Sequence, residues 1–186
     1  MREALFCNYF YSKFFPANGT ELLNYFDNPI KSSNQQFKWD ENCSVGKERL
    51  EKTDEVLNLL KPSIRDFFKI FKFKQAEKIE IEDIWRCLYD KGSYQEIHSH
   101  CGTDLSGVLF LTDWEEGVSK FFFADRHDSE ITEFWKINYS YDSIDIEYER
   151  GEILFFPSYM LHGVTQHKHE LTRKIVSFNL KFPQIS

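Results

Sequence analysis

Residues 92–102 read GSYQEIHSHCG, with His98 and His100 two apart. In an extended strand alternate side chains share a face, so Tyr94, Glu96, His98 and His100 are expected to point the same way. Two imidazoles on one face can bind a single ion, and the carboxylates of Glu96 and Asp104 flank them. The same spacing also suits two histidines that merely share a strand, so the pair alone leaves both readings open.

The stretch sits in a run of short apolar segments bounded mostly by Gly, Asp, Asn or Pro. These are KIEIEDIWRCLY, YQEIHSH, SGVLFLT, VSKFFFA, SIDIEYE, EILFFP, MLHGVTQ and RKIVSFNLKF. Nineteen Phe, nine Tyr and four Trp suit β-structure. Eight strands after a helical N-terminal third predict a mainly β fold, a double-stranded β-helix (jelly-roll, cupin-like barrel) supported by helices. A length of 186 residues fits one domain, with 1–75 as helical support and 76–186 as the β core.

In the N-terminal third, residues 3–15 predict an opening strand and ELLNYFD a short helix that stops before Pro29. KSSNQQFKWDENCS reads as a loop. From Gly46 to about Phe73, Leu50, Leu57, Leu60, Ile64, Phe67, Phe68 and Phe71 recur at three- and four-residue spacing, which predicts helix, split or kinked at Pro62.

The second half of the site lies in RGEILFFPSYMLHGV. A strand opens at Gly151 and ends at Pro157, and His162 follows on the next segment. A late strand of a jelly-roll lies beside an early one, so His162 can complete a three-imidazole set with His98 and His100. In ELTRKIVSFNLKF, period-two alternation puts Arg173, Ile175, Ser177 and Asn179 on one face and Lys174, Val176, Phe178 and Leu180 on the other. An inward arginine is costly unless an anion meets it, and its fork suits a carboxylate. The alternative places Arg173 at the strand mouth, exposed or paired with Glu170.

Taken in order, HSH, LSGVLFLTD, GEILFFPSYMLHGV and RKIVSFN resemble the Fe(II)- and 2-oxoglutarate-dependent dioxygenase superfamily, in particular its small prolyl-hydroxylase-like branch. The resemblance spans residues 85–182. It implies a hydroxylase that uses Fe(II), 2-oxoglutarate and O2, and that acts on a small molecule or a protein side chain. By position His98 and His162 match the iron histidines, and Arg173 matches the arginine that holds the far carboxylate of 2-oxoglutarate. Ser177 matches a neighbouring hydroxyl, and Tyr89 a tyrosine that contacts the cosubstrate. His100 stands where relatives carry a carboxylate, so the third ligand is His100 itself, Glu96 or Asp104. Phe110 replaces a common tyrosine.

A cupin dioxygenase or isomerase is the rival reading, since GSYQEIHSH fits a first cupin motif. There Asp104 stands for the expected glutamate and Tyr159 for a glycine. A non-catalytic jelly-roll binding module is the third. His167 and His169 in QHKHELTR read as a solvated hairpin, His127 as exposed, and TDWEEG as a hairpin rim with Trp114 available for packing or substrate.

The net charge of −7 argues against a phosphate-backbone binder. Cys7, Cys43, Cys87 and Cys101 form no CxxC pair and read as reduced thiols. No apolar run approaches a membrane span and no secretory leader is evident, so a soluble, cytoplasmic protein is expected.

Overall fold

Alternation along the strands sorts the apolar residues into two layers, and these layers build the fold. The protein is described here from a computed structural model that covers residues 10–28, 45–74, 78–125 and 143–183. Its elements run β1 (Ser12–Phe14), α1 (Gly19–Asp27), β2 (Gly46–Arg49), α2 (Asp54–Ile70), β3 (Glu80–Tyr89), β4 (Gln95–His98) and β5 (Leu105–Phe110). They continue with β6 (Phe121–Ala124), β7 (Ser143–Ile146), β8 (Ile153–Pro157), β9 (His162–Val164) and β10 (Arg173–Lys181). Each of the eight apolar runs carries a strand.

The strands form a six-stranded sheet in the order β1-β8-β5-β10-β3-β2 and a four-stranded sheet in the order β4-β9-β6-β7. Every pairing is antiparallel. Inward residues of the larger sheet, among them Trp85, Cys87, Tyr89, Val108, Phe110 and Ile175, meet Phe121, Phe123 and Val164 of the smaller one. Outward residues of the same strands, such as Ile84, Leu109, Phe155, Val176 and Phe178, join Leu22, Phe26, Leu60, Ile64 and Phe67 of the two helices. A sheet covered on both faces needs apolar residues at every position, which is why β5 and β8 are buried throughout. This is the helix-supported double-stranded β-helix that the strand spacing predicts, and the face assignment along β10 holds.

The N-terminal third differs in detail. Helix does not begin at Gly46: Gly46–Arg49 instead pairs with β3 as an edge strand. Lys47 faces inward opposite Cys87, and Glu48 faces outward, where its carboxylate accepts from Arg86 Nε at 2.6 Å. The helix starts at Asp54, with the Thr53 hydroxyl accepting from the Val56 amide at 3.2 Å. Pro62 lies inside α2 without splitting it, because the buried face of Leu59, Leu60, Ser63 and Ile64 holds both halves on the sheet. The loop expected over residues 31–44, most of the opening strand and His127 lie outside the described residues. Among those described, no helix is long and apolar enough to cross a membrane.

Candidate metal and cosubstrate site

The smaller sheet places the histidines. His98, at the end of β4, lies directly opposite His162 at the start of β9, and their rings are 4.3 Å apart. His100 follows two residues later, its backbone amide donating to the Ser158 carbonyl at 2.8 Å. Its ring lies 5.0 Å from that of His98 and 5.1 Å from that of His162. One nitrogen from each of the three lies within 4.8 Å of the others, close enough for one ion to draw all three together.

Backbone carbonyls orient two of these rings. His98 Nδ1 lies 2.8 Å from the Glu96 carbonyl, and His162 Nδ1 lies 2.9 Å from that of Met160. With the proton on Nδ1, the Nε2 lone pair is the one left for a metal. Phe121 stacks on His162 at 5.4 Å and Phe156 meets its edge at 4.8 Å, fixing the ring plane. Burial pushes all three imidazoles below the ordinary histidine range, His100 to about 3, and the nearby Lys47 charge acts in the same direction. They are neutral at neutral pH, the state in which imidazole ligates.

The candidate carboxylates lie elsewhere. Asp104 is exposed, and its side chain accepts from the Phe182 amide at 2.8 Å. Among the described residues neither Asp104 nor Glu96 belongs to the group that can share an ion with the histidines.

Strict alternation fails on β4. Between the pairs Gln95↔Val164 and His98↔His162, β4 advances three residues while β9 advances two. The extra residue is a bulge, a device that re-aims side chains beside functional sites. Gln95 is therefore buried, while Tyr94 is 40% exposed. The Gln95 amide nitrogen lies 3.1 Å from His98 Nε2, and its carbonyl accepts from the Tyr89 hydroxyl at 2.8 Å.

Arg173 is fully buried, so the exposed alternative is excluded. Its guanidinium carbon lies 4.9 Å from the Tyr89 ring, 5.1 Å from Tyr148 and 6.0 Å from Phe110. Arg173 Nε donates to the Tyr148 hydroxyl at 2.7 Å. Both terminal nitrogens, Nη1 and Nη2, are buried without a hydrogen-bond partner. Two parallel donors left unpaired in an apolar slot fit a carboxylate.

Ser177 lines the recess that holds the histidines. The hydroxyl hydrogen-bonded to the guanidinium is that of Tyr148. Tyr148 escaped sequence reading because its partner lies 25 residues away on another strand. Phe110, in place of a tyrosine, stacks on Tyr148 at 4.0 Å and 6° and so holds that ring in position.

Of the second histidine pair, His167 is not solvated. It is fully buried, with Nδ1 accepting from the Ser119 amide at 3.1 Å and Nε2 donating to the Leu171 carbonyl at 2.7 Å. Both ring nitrogens are used. Cys87 is a buried free thiol and Cys101 an exposed one.

Comparison with known proteins agrees with this geometry. A family model described as "Putative 2OG-Fe(II) oxygenase" matches residues 83–179, more than half of the chain. Among curated proteins no sequence match is found. Among solved structures, a 2OG-Fe(II) oxygenase family oxidoreductase from Burkholderia pseudomallei is 13% identical over 93% of this chain and 84% of its own, with a TM-score of 0.62. HygX from Streptomyces hygroscopicus, solved with nickel and 2-oxoglutarate, is 11% identical over 92% and 82%, with a TM-score of 0.63. The viral collagen prolyl hydroxylase vCPH from Paramecium Bursaria Chlorella virus-1, solved as a 2OG complex, is 15% identical over 91% and 94%, with a TM-score of 0.53. At such identities these structures show a shared fold, and the family match supplies the rest: the chain belongs to the 2OG-Fe(II) oxygenases, which use Fe(II), 2-oxoglutarate and O2.

Proposed function

We propose that His98, His100 and His162 hold Fe(II), that Arg173 holds the distal carboxylate of 2-oxoglutarate, and that the enzyme hydroxylates a C–H bond of its substrate. The carrying observation is the pair of unpartnered, buried terminal nitrogens on Arg173. A cupin enzyme without a 2-oxoacid gives that guanidinium no task.

Bound iron supplies the redox chemistry: 2-oxoglutarate and O2 become succinate and CO2, and one oxygen atom enters the C–H bond as a hydroxyl. The residues of the chain supply position. Tyr148 accepts from Arg173 Nε and turns Nη1 and Nη2 toward the cosubstrate carboxylate. Tyr89 and Phe110 wall the slot and exclude water, which strengthens the ionic contact. Carbonyls of Glu96 and Met160 hold the Nδ1 protons of His98 and His162, leaving Nε2 toward the metal. The Gln95 amide nitrogen, 3.1 Å from His98 Nε2, meets the lone pair that the metal would take, so it would give up that contact when an ion binds.

The test is anaerobic titration of 2-oxoglutarate into Fe(II)-loaded protein. Arg173→Ala should weaken 2-oxoglutarate binding by about tenfold to a thousandfold, because a two-pronged charged contact is lost from a shielded slot, while iron stays bound. Parent-like affinity for 2-oxoglutarate in the variant would favour the cupin reading.

A further inference from the structure

The second histidine pair leads back to Arg173. His167 is fully buried between two partners. The Ser119 amide donates to its Nδ1 at 3.1 Å, so the ring proton is on Nε2, which donates to the Leu171 carbonyl at 2.7 Å. Each partner reaches Arg173 by a different route. The Ser119 carbonyl accepts from the Tyr148 hydroxyl at 3.2 Å, and that hydroxyl accepts from Arg173 Nε at 2.7 Å. Leu171 stands two residues before Arg173 in the chain, and its amide donates to His169 Nδ1 at 3.1 Å. The side chain of Arg173 and the backbone that enters it are therefore joined through one imidazole, which closes a ring.

Two features separate this ring from a purely structural brace. The backbone of His167 is held without its imidazole: its amide donates to the Ser93 carbonyl and its carbonyl accepts from the Gly92 amide, each at 2.7 Å. The segment is thus anchored to the turn between β3 and β4 whatever side chain stands at position 167. The ring also leaves buried atoms unpaired, since Arg173 Nη1, Arg173 Nη2 and Ser119 Oγ have no hydrogen-bond partner among the described residues. A network that only braced the fold would satisfy its own members, whereas this one holds polar atoms open for a ligand. Two parallel bonds to a carboxylate need a fixed guanidinium plane, and Nε is the atom of that plane which the protein holds by a hydrogen bond.

We infer that His167 is a positioning residue for the cosubstrate: by fixing Ser119 and Leu171 it sets the plane in which Arg173 meets the distal carboxylate of 2-oxoglutarate. The inference rests on the reading of Arg173 as the anchor of that carboxylate. His167 acts through Ser119 and Tyr148 rather than by contact with the cosubstrate, so its effect falls on the far carboxylate and spares the metal.

The experiment compares 2-oxoglutarate with pyruvate, a 2-oxoacid that lacks the far carboxylate, by anaerobic titration into Fe(II)-loaded protein. The parent should prefer 2-oxoglutarate. In His167→Gln the new amide can still donate to the Leu171 carbonyl, but the Ser119 amide loses its acceptor. There 2-oxoglutarate should weaken about threefold to tenfold, with the affinities for pyruvate and for Fe(II) as in the parent. In His167→Asn an oxygen can stand where Nδ1 stood and keep the Ser119 bond, so 2-oxoglutarate affinity should stay within about twofold of the parent. Adding His167→Gln to Tyr148→Phe should weaken 2-oxoglutarate no further, because the route to Arg173 Nε is already cut. Parent-like 2-oxoglutarate affinity in His167→Gln, equal weakening of 2-oxoglutarate and pyruvate, or better retention in His167→Gln than in His167→Asn would overturn the inference. Loss of the fold in His167→Gln by circular dichroism would also overturn it, by showing a brace of the whole molecule. A parent that binds 2-oxoglutarate no more tightly than pyruvate would overturn the reading of Arg173 and the inference with it, whereas a parent with that preference and variants that keep it would sink the inference alone.

Discussion

A histidine at position 100 changes the charge of the proposed metal site, because imidazole ligates as a neutral group where a carboxylate brings a negative charge. His100→Asp should therefore retain iron, whereas Asp104→Asn should leave iron binding as in the parent, since Asp104 holds the Phe182 amide. Burial of neutral imidazoles also carries a pH signature. Between the ordinary histidine value of 6.5 and about 3, the unfolded chain binds protons that folded His100 refuses, and His98 and His162 shift in the same direction. The contribution of these histidines to the stability of the metal-free protein should thus be constant above about pH 6.5 and fall as pH drops toward 3. Denaturant melts at pH 7.5 and 5.5 check this, and the fall should be smaller in His100→Ala. Tyr148→Phe should weaken 2-oxoglutarate about tenfold, because Arg173 Nε loses its acceptor and the guanidinium its alignment, as direct titration would show. Of the proposed site, His98, His100, His162 and Arg173 stand out in the sequence because each is a costly residue on a readable face. Gln95 and Tyr148 were not: a bulge re-aims the first, and the second meets its partner only through tertiary pairing.

Among the elements, β5 and β10 carry the junction of the helical layer and the site. Gly107 pairs directly with Phe178, whose ring lies over it; a Cβ at Gly107 would fall 2.2 Å from the ring. Phe178 is fully buried among helix-facing residues and has nowhere to go. Gly107→Ala should destabilise by about 1–3 kcal/mol through overpacking, measured by urea denaturation, and parent-like stability would refute the close approach. Strands were readable in the sequence because inter-sheet burial imposes period two and turn residues bound each run. Period also misled: Leu50 continues a helix-like spacing, yet it lies before α2 and buries itself in the helix-facing core from the segment after β2. Four residues of edge strand are too few for their alternation to outweigh the longer helical pattern beside them.

At the scale of the whole molecule, the histidines join β4, β9 and the chain leaving β4, while Arg173 belongs to the larger sheet, so iron and 2-oxoglutarate held as proposed would tie the two sheets together. A ligand at a hundred times its dissociation constant adds about 2.7 kcal/mol, and ferrous ion should therefore raise the melting temperature by roughly 5–10 °C under anaerobic conditions. The topology follows from strand spacing in the sequence, but the identity of the third ligand depended on where the loop after β4 sends Asp104. That ligand is the centre of the account, and anaerobic titration of ferrous ion into the parent and His100→Ala tests it most directly. Three-histidine ligation predicts one ferrous ion per chain in the parent and a large loss of affinity in the variant, with its fold retained by circular dichroism. Parent-like iron affinity in His100→Ala would contradict it.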